Sequence, residues 1–155
     1  MSALLMGNSN SIFTQGFTLL ELLVVVAIMG ITLAIGVPSL QSFIVDNRLT
    51  TSANDMLTAL QAARSEATKR VKFAGVSING NSWEVFVESQ DNVVQRYKTA
   101  TNISVAVEGN SNPIFRPEGR LNSVNVITMT FTSTVGSAQR TLTIAPSGKI
   151  KITNP

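Results

Sequence analysis

Cysteine and histidine are both absent from the 155 residues. Their absence excludes a disulfide framework, a Cys/His zinc site, a thiol nucleophile and a histidine-based catalytic triad. Basic side chains are also missing from the first third: residues 1–47 hold two acids, Glu21 and Asp46, and no Lys or Arg. All 12 basic residues therefore fall in residues 48–155, against 7 acids there, a surplus of five. Such a surplus most often serves solubility, and less often a contact with nucleic acid or an anionic surface. The acids Glu84, Glu88 and Asp91 lack the spacing of a metal loop, and no Gly-rich phosphate loop occurs. No cofactor is expected, and an enzyme reading has no support.

What is present first is an apolar run. Phe17 to Val37 is 21 residues long, interrupted only by Thr18, Glu21, Gly30, Thr32 and Gly36. As a helix it measures about 31 Å, enough to cross the ~30 Å hydrocarbon core of a bilayer. A cleaved secretory signal needs a basic start, a shorter apolar core and a small-x-small cleavage site, none of which fits here. A buried core helix fits poorly too, because so long a stretch without a basic side chain rarely sits inside so small a domain. Glu21 is the one charge in this run.

After Pro38 the pattern becomes amphipathic. Apolar or small residues recur at Leu40, Phe43, Ile44, Met56, Leu57, Leu60, Ala63, Ala67 and Val71, with the i, i+3, i+4 spacing of one helix face. Pro38 has no backbone donor, so it is expected to kink or loosen the helix without necessarily ending it. Beyond "AGVSINGNS" the texture changes to period-two alternation in 82–89, 93–99, 103–109, 126–134, 140–145 and 149–153. Breaks are expected at Asn79-Gly80-Asn81, Asp91-Asn92, Gly109-Asn110, Pro117-Glu118-Gly119, Gly136 and Pro146-Ser147-Gly148. The expected fold class is α+β: a long N-terminal transmembrane and amphipathic helix packed on a mainly antiparallel β-sheet head.

At the C-terminus, a turn at Pro146-Ser147-Gly148 sets Ile150 and Ile152 toward the core. Lys149 and Lys151 then project from the other face, beside Thr141 and Thr143. Two ammoniums with hydroxyls suit phosphate backbones, while the same lysines equally suit an ordinary solvated edge that resists aggregation. Trp83, Phe86, Phe115 and Phe131 alternate with polar residues and read as core rather than as a stacking platform. Arg116 and Arg120 bracket "PEG", with Glu118 between them, and read as solvated. Glu66 is spaced to pair with Lys69 or Arg70 on the helix.

The segment "QGFTLLELLVVVAIMGITLAIGVPSLQSF" resembles the N-terminus of type IV pilins and of type II secretion pseudopilins. Further on, "NRLTTSANDMLTALQAARSEATKR", "SWEVFVE", "IFRPEGR" and "LTIAPSGKIK" are similar to the minor pilins FimT and FimU and the minor pseudopilin GspH. The resemblance spans nearly the whole chain from Gly16 on, and it implies a division into a leader (1–16), a transmembrane half-helix (17–37), an amphipathic half-helix (38–72) and a β-sheet head (73–155). It implies that prepilin peptidase cuts between Gly16 and Phe17 and that the new Phe17 amine is N-methylated. Leaders of this kind usually carry Lys or Arg, and "MSALLMGNSNSIFTQG" has neither, so the positive-inside bias does not orient the segment.

The resemblance also gives Glu21 a reason. A carboxylate in a bilayer costs up to about 3 kcal/mol on insertion scales. In the family it meets the N-terminal amine of a neighbouring subunit, so Glu21 would set the axial register of assembly. The alternative is an acid that faces the positive helix N-terminus or snorkels to the headgroups. In FimT-like pilins a Gly-basic-x-basic motif is associated with DNA binding during natural transformation. Gly148, Lys149 and Lys151 match it with Lys in place of Arg, which lacks the bidentate grip of a guanidinium. The resemblance implies as partners other pilin subunits, the prepilin peptidase, the inner membrane and, as a candidate, double-stranded DNA. The location expected is the inner membrane with a periplasmic head, then the extracellular pilus. A minor pseudopilin of a type II secretion system is the alternative.

Overall fold

The computed structural model describes residues 17–80, 82–108, 112–135 and 137–153. The expected leader 1–16, with Gly16, and the expected breaks at Asn81, Gly109-Asn110 and Gly136 lie outside these residues. The elements run α1 (Leu19–Arg70), β1 (Ala74–Asn79), β2 (Ser82–Val87), β3 (Ser89–Lys98), β4 (Ile103–Glu108), β5 (Ile114–Phe115), β6 (Ile127–Ser133), β7 (Gln139–Ile144) and β8 (Ile150–Thr153). The chain divides into two units, Met1–Ser39 and Leu40–Pro155.

In the first unit α1 begins with a side-chain cap, the Glu21 amide donating to Thr18 Oγ1 at 3.2 Å. Its apolar side chains from Phe17 to Val37 are all exposed. The helix is long and apolar enough to cross a membrane. It also passes through Pro38 without a break, although proline removes the donor that the Ala34 carbonyl would otherwise meet.

In the second unit α1 buries one face: Leu49, Ser52, Ala53, Met56, Ala59, Leu60, Ala63 and Ala67. The spacing is that of one helical stripe, and its small residues allow close approach of the strands. The sequence places the start of this face too early. Leu40, Phe43 and Ile44 are exposed, as is Val71, and the packed face begins only at Val45 and Leu49. Helical spacing identifies a stripe but not how far the covering layer reaches along it. The helix ends in a Schellman closure in which the Lys72 amide donates to the Ala67 carbonyl at 3.2 Å, with Val71 at a φ of 55°.

The strands form two four-stranded antiparallel sheets, ordered β3-β2-β1-β5 and β4-β6-β7-β8. Two of these strands are invisible to periodicity. β1 lies between β2 and β5 and is buried at Ala74, Gly75, Val76 and Ser77 in succession, so no polar face alternates with an apolar one. β5 has two residues, too few to show a period. The expected break at Asp91-Asn92 is not there, because both residues lie within β3. The chain turns instead at Glu88, at a φ of 69°, where Val87 pairs with Ser89.

Where the pattern is clear it is obeyed. In β6, Ile127, Met129, Phe131 and Ser133 are buried and the intervening threonines are partly exposed. Trp83, Phe86, Phe115 and Phe131 are all core residues, as the alternation predicts. Trp83 stacks on Tyr97 with ring centroids 6.3 Å apart and meets Phe131 edge-on at 6.5 Å. Burial pushes the Tyr97 phenol up, and the nearby Asp55 carboxylate adds to the rise. Glu66 pairs with Arg70 at 2.6 Å and with Lys69 at 3.9 Å, as the helical spacing predicts.

Candidate functional site

Two regions hold the residues singled out by sequence. At the helix start, Phe17 is 83% exposed and Glu21 lies in the first turn, itself exposed. A carboxylate there is favoured by the amide dipoles of the helix N-terminus. Among the described residues, however, Glu21 forms no ion pair.

The second region is the β7–β8 hairpin. Its turn is closed by the Gly148 amide donating to the Ala145 carbonyl at 2.8 Å and the Ala145 amide donating to the Lys149 carbonyl at 2.9 Å. Ile144 faces Ile150 and Thr143 faces Lys151 across the strands. Ile150 and Ile152 are half-buried against the core, while Lys149 and Lys151 are exposed. Thr143 stands opposite Lys151, and its hydroxyl donates to the Lys151 carbonyl at 3.5 Å; Thr141 faces Thr153 rather than a lysine. Neither lysine forms an ion pair among the described residues, so both charges are solvated.

Gly148 differs from the lysines beside it, because it is buried and has a φ of 81°. A Cβ at this position would collide with the Gly119 carbonyl oxygen. The Arg64 guanidinium, reaching over from α1, donates to the Gly148 carbonyl at 3.2 Å. Gly119, at a φ of 75°, packs against the same arginine. Gly148 is thus a packing residue that allows two turns to touch, and Arg64 braces them. Sequence reasoning missed this junction. The signal was there in two Pro-x-Gly turns, Pro117-Glu118-Gly119 and Pro146-Ser147-Gly148, but nothing in one dimension brings them together.

With this geometry in view, the known proteins most usefully compared are these. A family model described as Type II transport protein GspH matches residues 52–148, more than half of the chain. A second, described as Prokaryotic N-terminal methylation motif, matches residues 14–37. The Pilin-like protein PilA1 of Thermus thermophilus is 28% identical over 160 residues, 89% of this chain and 97% of that one. Among solved structures, the type IV minor pilin FimU of Pseudomonas aeruginosa superposes with a TM-score of 0.63 at 20% identity, covering 72% of this chain and 92% of that one. The minor pseudopilin EpsH of the Vibrio cholerae type 2 secretion system gives 0.57 at 14% identity, covering 70% and 98%. Both likenesses establish the fold.

Proposed function

Because the chain belongs to the GspH family of type II transport proteins and carries the prokaryotic N-terminal methylation motif, we propose that it is a minor type IV pilin. Residues 17–37 hold it in the inner membrane with the head in the periplasm, and the same helix later packs among other pilin helices. Residues 1–16 are the leader, which prepilin peptidase removes between Gly16 and Phe17, and the exposed Phe17 amine is then methylated. Residues 38–72 continue the helix into the head, 73–155. The role is structural.

The observation that carries this reading is Glu21, an exposed carboxylate with no ion pair among the described residues, on a helix whose other side chains from 17 to 37 are uncharged and mostly apolar. In hydrocarbon such a charge costs up to about 3 kcal/mol, and a partner cation offsets it. The Phe17 amine of a neighbouring subunit supplies one only at a single axial stagger, which makes the acid a register key. Glu21→Val is therefore expected to insert into the membrane normally and yet fail to restore pili in a deletion strain. Counting pili by electron microscopy, with N-terminal sequencing of the mature wild-type chain, tests both steps. Full piliation by the variant, or a mature start other than Phe17, refutes the assignment. A deletion strain that keeps its pili and loses protein secretion identifies a pseudopilin instead.

A second reading has its own observation in the exposed Lys149 and Lys151 on a hairpin whose isoleucines face the core. We infer that this hairpin contacts double-stranded DNA during uptake. Charge supplies affinity through counterion release, without base selection.

A further inference from the structure

The segment Phe115–Leu121 is a small hairpin of its own. Phe115 and Leu121 form an antiparallel bridge and both are buried. One step inside them, the Arg116 amide donates to the Arg120 carbonyl at 2.8 Å. Alternation then sends both arginine side chains to the other face, and both are exposed. Arg116 is braced, its Nε donating to Asn122 Oδ1 at 2.9 Å, which leaves its terminal nitrogens available. Glu118 lies between the two arginines in sequence but pairs with neither. Together they line an open cleft of about 560 Å³ with Glu118, Asn122, Ser123 and Pro146. That volume is many times the ~30 Å³ share of one water molecule.

Pro146 belongs to the β7–β8 turn, so two segments distant in sequence meet at this cleft. The Leu121 amide donates to the Pro146 carbonyl at 3.1 Å. Gly148 abuts the Gly119 carbonyl, and the Arg64 guanidinium donates to the Gly148 carbonyl at 3.2 Å. Arg116 and Arg120 therefore stand on a turn that adjoins the one leading into Lys149 and Lys151. Guanidiniums grip phosphate oxygens through paired N–H donors, which the two lysines cannot do.

We propose that the cleft between the 116–123 segment and the β7–β8 turn is a phosphate site for the backbone of double-stranded DNA, with Arg116 and Arg120 as its contacts. It deepens the DNA reading above and rests on it. The cleft supplies bidentate grip and the hairpin lysines supply point charge, so one duplex laid across both turns meets four cations against the single Glu118 carboxylate of the cleft lining. Neither group reads bases, and binding depends on salt but not on sequence.

The test uses the full mature chain in mild detergent and a fluorescent duplex, with affinity measured by anisotropy over a range of salt concentrations. Each lost phosphate contact flattens the plot of log affinity against log salt by ~0.9. Arg116→Gln with Arg120→Gln is expected to flatten it by about 1.8, as is Lys149→Gln with Lys151→Gln, and the quadruple variant by the sum. Arg116→Lys with Arg120→Lys keeps the charge, so it is expected to retain the slope while binding more weakly. It also guards against misfolding of the glutamine variant. If the arginine variant keeps the wild-type slope while the lysine variant loses its share, the cleft proposal falls and the hairpin reading stands. If the wild-type chain fails to bind duplex even at low salt, both fall. Arg-dependent binding of inorganic phosphate by calorimetry, with a DNA slope indifferent to the arginines, overturns the DNA assignment in favour of a free-anion site.

Discussion

At Gly148 a single methyl group has nowhere to go. The residue has a φ of 81°, its Cβ direction points at the Gly119 carbonyl, and the Arg64 guanidinium lies alongside. Strain in this backbone region costs about 1–3 kcal/mol for a residue with a side chain, and a fixed carbonyl cannot yield as a flexible side chain can. Gly148→Ala is expected to lower stability by about 2 kcal/mol or more. It is also expected to loosen the β7–β8 turn without removing a charge. Urea unfolding of the detergent-solubilised chain reads the first effect, and an unchanged midpoint sinks the account. The Gly of the Gly-basic-x-basic pattern is thus held by packing against a second turn. It shapes the junction on which the lysines are mounted.

Helix α1 ends on an unusual residue. The left-handed position after a helix is normally glycine, and here Val71 occupies it, β-branched and 73% exposed. The periodicity places Val71 on the apolar face, but the backbone has left the helix by then and the side chain points to solvent. A branched side chain in this conformation costs about 1–2 kcal/mol, and its exposure returns little of that. Val71→Gly is therefore expected to stabilise the chain by about 1 kcal/mol, after allowing for the greater freedom of glycine when unfolded. A thermal melt that shows no gain, or a loss, counts against it. The same helix shows how an element can be right in kind and wrong in extent. Its amphipathic stripe is legible from spacing, yet Leu40, Phe43 and Ile44 belong to the exposed part and not to the packed one.

On the scale of the molecule, every buried apolar residue of the core among the described residues lies between Leu49 and Ile144. The exposed apolar residues of 17–37 take no part in that core. A chain beginning at Val45 keeps all of the packed residues and loses the bilayer-length run. It is expected to fold, to appear in the soluble fraction, and to show the circular dichroism and cooperative unfolding of an α+β domain. The full chain is expected to need detergent. Should the truncated chain aggregate or unfold without cooperativity, residues before Val45 contribute to folding in a way that the core does not reveal.

The order of elements followed from the sequence alone wherever a one-dimensional period coincides with a burial boundary. The apolar run with its lone acid, the helical stripe around Met56, Leu60 and Ala63, the strands 126–134 and 140–145, and the opposed faces of Ile150/Ile152 and Lys149/Lys151 are all of this kind. Local spacing carries that information because each side chain's direction is set within its own element. Tertiary structure alone decided the rest. β1 is buried on successive residues and shows no period, and β5 is too short to have one. The meeting of Gly119 with Gly148 under Arg64 joins residues 84 positions apart. Contacts of that separation depend on how sheets and helix pack, so no pattern along the chain announces that two arginines at 116 and 120 adjoin the turn carrying two lysines at 149 and 151.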